Sequence, residues 1–190
     1  ASWERNPIDI MIVTTISGAE TVYHEWAERR ADVLFDIPKG LKAVWLRFPE
    51  PEISVSRDKA LHTAISNGAK WLFFLDSDVI LPRDALARLM RHNLPIVGGL
   101  YVRRHNPPFN EMLRFVGQGG QLRPIQDGEY QMGELVQCDA IATGCMLIQT
   151  DVIEKIKPFQ ITVDGQPARP RYFFWGVFNI PNGKSEDFQF

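Results

Sequence analysis

The sequence predicts an α/β protein with a mostly parallel central sheet flanked by helices and a mixed C-terminal portion. Three observations carry that expectation. Apolar, β-branched runs recur through the first hundred residues, stretches with helical apolar spacing lie between them, and from Asn106 the alternation gives way to irregular Gly-, Pro- and Gln-rich sequence. Strands alternating with helices imply βαβ units, whose crossovers lay helices over a parallel sheet.

Each element has its own signal. Ile8 to Ile16, "IDIMIVTTI", reads as a strand that Ser17-Gly18 breaks. Glu20 to Leu34 places Val22, Trp26 and Val33 at helical spacing. Lys42 to Phe48 reads as a second strand, ended by Pro49-Glu50-Pro51. Ser56 to Asn67 reads as a helix with Ala60, Leu61, Ala64 and Ile65 on one face, and Gly68 stands where a helix-terminating glycine belongs. Trp71 to Leu75 is too short for a buried helix and suits a buried strand. Pro82 opens a helix to about His92, and Pro95 to Val102 is a further strand. Later, Asp139 to Gln149 regains strand character, and Asp151 to Ile156 is a short helix with a capping-box spacing at Asp151 and Glu154. Beyond Lys157-Pro158 the chain is aromatic and loop-like.

At 190 residues the chain fits a single domain, with a first half over 1–104 and a second over 105–190. A net charge of −2 gives no electrostatic reason to expect nucleic acid or an anionic membrane as a partner. No run is long enough to span a membrane. No signal peptide is visible, and the chain starts at Ala1 without Met, which leaves room for a removed upstream segment. Two cysteines, Cys138 and Cys145, are too few for a disulfide framework and favour a reducing compartment such as the cytoplasm.

The chemistry concentrates in "WLFFLDSDVILPRDAL", Trp71 to Leu86, where a buried run drives into Asp76-Ser77-Asp78. On an extended segment residues i and i+2 share a side, so Asp76 and Asp78 would aim at one point. Carboxylates that close repel unless one takes a proton or a cation sits between them. Mg²⁺ and Mn²⁺ prefer such oxygens and leave their other positions to water and phosphate. The spacing therefore suggests a metal–diphosphate site. The bland alternative is a polar strand end with one Asp capping the next helix.

"SRDKALHTAISNGAKWLFFLDSDVILPRDAL", Ser56 to Leu86, resembles the central segment of GT-A-fold, family-2-like glycosyltransferases. It has, in order, an Arg at a helix start, a helix ending in Gly-Ala, an apolar strand, D-x-D and a Pro-led helix. "DAIATGCMLIQTDVIEKI" resembles the family's later Gly-containing strand and short helix, and "SED", Ser185 to Asp187, its acidic pair. The resemblance implies a GT-A-like (Rossmann-like) sheet and a transferase that moves a sugar from a nucleotide-diphosphate donor to a glycan, lipid or protein acceptor, by an inverting, non-processive displacement. It implies Mn²⁺ or Mg²⁺ held by Asp78, with Asp76 on the donor ribose or a metal-bound water. It also implies Asp187 as the base on the acceptor hydroxyl and Glu186 as its orienting or acceptor-binding neighbour.

Other positions stay open between two readings. Arg57 either contacts the donor nucleotide or diphosphate or faces solvent from the first helical turn, and the same holds for Lys59. Gly144 either admits the donor sugar or acceptor to the backbone or marks a strand bulge. Trp175, within the aromatic run before Ser185, either stacks on an acceptor sugar or fills core. His24, His62, His92 and His105 read as structural or surface residues. The sequence also departs from the family: it stops three residues after Asp187, short of the distant His that completes the metal site in family members, so a truncated or minimal form is expected. It lacks the Q-x-x-R-W of processive synthases. A nucleotidyltransferase of related design, or a catalytically silent nucleotide- or sugar-binding domain, are the competing readings.

Overall fold

The computed structural model of the chain describes residues 8–15, 32–33, 37–48, 50, 52–103, 108–117, 121–153, 155–156, 162–163 and 166–167. Its centre is a five-stranded sheet of β1 (Ile10–Thr15), β2 (Ala43–Phe48), β3 (Trp71–Leu75), β4 (Ile96–Gly98) and β10 (Cys145–Gln149), in the order β2-β1-β3-β10-β4. β1 pairs in parallel with both β2 and β3, whereas β10 runs antiparallel between β3 and β4.

The expectation of a mostly parallel, GT-A-like (Rossmann-like) sheet flanked by helices is thereby overturned. Only two of the eight strand pairings among the described residues are parallel. Three helices there are described from end to end: α1 (Ile53–Ser66), α2 (Ala85–Arg91) and α3 (Thr150–Ile153). Three further antiparallel groups complete the fold: β5 (Val102–Arg103) with β6 (Phe109–Asn110); β7 (Met112–Val116) between β8 (Gln121–Pro124) and β9 (Ala140–Ile141); and β11 (Thr162–Val163) with β12 (Gln166–Pro167). The physical reason is that an apolar run encodes burial and not direction. Cys145–Gln149 satisfies β3 and β4 as well antiparallel as it would parallel.

Period-two alternation sorts the sheet into two faces. Ile10, Ile12, Phe73, Leu75 and Leu147 pack with Leu86 and Leu89 of α2 and with Leu81. Met11, Val13, Leu72, Phe74 and Ile148 pack with Ala60, Leu61 and Ala64 of α1 and Ile153 of α3. With both faces covered, all of β1 is buried and reads as an unbroken apolar run up to its two threonines. α1 ends as its glycine foretells: Gly68 takes φ +66°, and the N–H groups of Gly68 and Ala69 bond the carbonyls of Ile65 and Ala64. It begins at Ile53, three residues before the expected start. α2 begins at Ala85 and not at Pro82, whose carbonyl instead accepts the Ala85 N–H in a turn. Asp32 and Val33 are helical, and the rest of the expected 20–34 helix lies outside the described residues. No helix among the described residues is long and apolar enough to cross a membrane.

Candidate functional site

The site lies where β1 and β3 end side by side. Their register sets Val13 opposite Phe74, so two residues on Thr15 comes level with Asp76. The Thr15 hydroxyl donates to Asp76 Oδ1 at 2.7 Å. From α1, the Arg57 guanidinium reaches the same carboxylate, its Nη2 lying 3.2 Å from Oδ2 and 3.4 Å from Oδ1. The Arg57 side chain is 2% exposed and that of Asp76 22%, so the pair lies at the floor of the site. The solvent-facing reading of Arg57 is therefore wrong.

The two halves of α1 differ because they cover different things. Its first turns carry the buried polar residues Ser54, Ser56, Arg57 and Asp58, and its later turns carry the apolar contacts to the sheet. The polar turns lie over the strand ends. Ser56 Oγ donates to the Phe48 carbonyl at 2.7 Å and accepts the Glu50 N–H, which fixes the helix start to the end of β2. Lys59 is turned outward, in an exposed ion pair with Glu50 at 2.7 Å.

The extended geometry that would set Asp76 and Asp78 on one side ends before them. β3 stops at Leu75, and a turn follows in which the Val79 N–H donates to the Asp76 carbonyl at 3.2 Å. Asp76 is held at the floor, while Asp78 sits on the exposed turn.

Gly144 immediately precedes β10. Its carbonyl accepts the Asp76 N–H at 3.0 Å, and its own N–H donates to the Tyr101 hydroxyl at 2.9 Å. A Cβ here would lie 2.6 Å from the Tyr101 hydroxyl oxygen and 3.1 Å from Asp76 Oδ2. The glycine lets a phenol and a carboxylate close over the backbone. Behind it, burial pushes the Cys145 thiol up to about 12; the Gly99 N–H opposes that shift and the Asp76 charge adds to it.

Of the residues singled out from sequence, Asp76, Arg57 and Gly144 come together, with Asp78 two residues along the turn. Trp175, Glu186, Asp187 and His105 lie outside the described residues. Thr15 and Tyr101 were missed. The polar ending of "IVTT" is a faint signal for Thr15, of the same kind as the D-x-D; nothing in the sequence around Tyr101 marks it.

No family model matches the chain, and no curated protein does. Among solved structures, the chain is similar to A197 from STIV, with a TM-score of 0.52 and 17% identity over 79% of this chain and 69% of that one. At that identity the likeness concerns the fold alone.

Proposed function

We propose that the chain is a metal-dependent glycosyltransferase that moves a sugar from a nucleoside-diphosphate donor to an acceptor hydroxyl. The observation that carries the reading is the division of labour in Asp76-Ser77-Asp78: one carboxylate locked by Thr15 and Arg57, the other on an exposed turn at the end of a buried strand. The donor set suits a hard divalent ion. Such an ion takes one or two protein carboxylates and leaves its other positions to water and the substrate's phosphates.

Asp78 would hold Mn²⁺ or Mg²⁺. The ion, when bound, supplies Lewis-acid stabilisation of the charge that develops on the departing diphosphate. Asp76 anchors the turn that carries Asp78, and Arg57 acts through Asp76. The acceptor oxygen forms the new bond to the sugar carbon. The bond from that carbon to the diphosphate oxygen breaks, and its electron pair leaves with the diphosphate. The acceptor proton passes to a base, for which Asp187 is the candidate and Glu186 its neighbour. Cys138 and Cys145 are both unpaired thiols, which supports a reducing compartment such as the cytoplasm.

Calorimetric titration with UDP, GDP, CDP and dTDP, with and without Mn²⁺, tests the reading. Metal-dependent binding of one nucleotide, lost in Asp78→Ala, is the expected result. Failure of all four to bind sinks it. Nucleotide binding with no sugar transfer, unchanged by Asp187→Ala, would leave the silent binding domain in its place.

A further inference from the structure

A cavity of about 830 Å³ lies between the run Leu94–Tyr101, which contains the edge strand β4, and the segment 130–141, which turns at Met132-Gly133. That volume is typical of small-molecule sites. Its walls are mostly apolar, with Leu89, Ile96, Val97, Met112, Ile141 and Met146 among them. Leu100, Met132 and Leu135 also line it, at 41%, 85% and 52% exposure, an apolar rim of the kind that marks binding sites.

Tyr101 and the buried carboxylate residue Glu111 stand in the same lining, the Glu111 N–H bonded to the Tyr101 carbonyl at 3.3 Å. The Tyr101 hydroxyl in turn meets Gly144, against which Asp76 packs. Tyr101 therefore links the cavity to the Asp76 floor.

We propose that this cavity binds an alcohol with a long hydrocarbon tail, its hydroxyl at Tyr101 and Glu111 and its tail along β4. As a statement about the acceptor this rests on the glycosyltransferase reading and narrows it to a lipid alcohol. The hydroxyl oxygen forms the bond to the sugar carbon, the carbon–diphosphate bond breaks with its pair on the diphosphate, and the proton goes to the base.

The chain carries its own reporter. It has two thiols, of which Cys145 is buried with its proton held tightly, while Cys138 lines the cavity half-buried. N-ethylmaleimide at pH 8.5 should therefore label Cys138. 1-Decanol below its solubility limit is expected to slow that labelling saturably, by about fivefold or more. Leu135→Arg, at an exposed rim position, should abolish the protection without changing the thermal midpoint. Phe115→Arg, equally exposed at 50% but outside the lining, should keep it. Undiminished labelling of the wild type at saturating decanol, or protection that survives Leu135→Arg, overturns the proposal, as does protection by an extended peptide and not by decanol. UDP and Mn²⁺ titrations on the same samples separate the two readings. Decanol protection without nucleotide binding keeps the lipid site and removes the transferase; nucleotide binding without protection does the reverse.

Discussion

Arg57 and Arg123 each meet a carboxylate, in regions of opposite character. Arg57–Asp76 lies under the end of the central sheet and joins residues 19 apart in the chain, with Thr15 reaching the same carboxylate from 61 residues away. Arg123–Glu129 closes one loop after β8 with two hydrogen bonds of 2.5 and 2.7 Å, at 35% and 31% exposure. The outer pair has the shorter contacts, yet water screens it and the loop alone depends on it. The inner pair is longer but its guanidinium is buried, so removing either member takes a charged partner from the other where water screens little. Distance ranks these pairs one way, and consequence ranks them the other.

The largest expected effect follows directly. Arg57→Met should cost about 3 kcal/mol in urea unfolding at neutral pH and abolish nucleotide binding. Replacing Asp76 by Leu in the same chain should recover much of the stability and none of the binding. A single variant as stable as wild type would erase the distinction between the two regions. Next comes Gly144→Ala, which forces a methyl group against the Tyr101 hydroxyl and Asp76 and should cost about 2 kcal/mol. Its thermal midpoint against wild type reads this, and an unchanged midpoint would mean that Tyr101 moves aside freely. Thr15→Val, which removes one hydrogen bond to Asp76, should cost about 1 kcal/mol by the same unfolding measurement.

The smallest effect belongs to the outer pair. The Arg123 hydrogen bond, aided by the Gln126 N–H, lowers the Glu129 carboxyl from 4.5 to about 2. The folded value lies below the unfolded one, so whatever stability this adds is present above pH 4.5 and fades as pH falls toward 2. Glu129→Gln should leave the urea midpoint at pH 7 unmoved. An NMR titration should find the Glu129 midpoint depressed and Arg123→Gln should return it to the ordinary range; a normal midpoint in the wild type would show that the loop clip does not form in solution.

The sequence made the inner region legible and the outer one obscure, for a physical reason. Trp71–Leu75 falls on the strand it predicted, and Gly68 on its helix end, because burial and left-handed backbone each write a local signature. β7 and β8 form a hairpin from residues such as Arg114, Arg123 and Gln121, whose pairing rests on backbone bonds that composition does not report. The direction of β10 was equally hidden. At the site, the strand-end position of Asp76 was readable. Its partners were not, because Thr15 and Arg57 meet it only through the register of β1 on β3 and the seating of α1. The turn at Ser77-Asp78 was misread as extended, since apolar spacing falls silent once a strand ends.

The placement of β10 also sets a clock. β3 and β4 are made early in synthesis, but the strand that joins them spans Cys145–Gln149. Until those residues have left the ribosome, β3 and β4 both present bare edges, and no sheet contact holds β4 in place. A nascent chain released only as far as residue 140 should be cut by protease within β3, and one released to residue 160 should resist. The chain thus carries an aggregation hazard until β10, the last strand of the central sheet to be made, arrives to remove it.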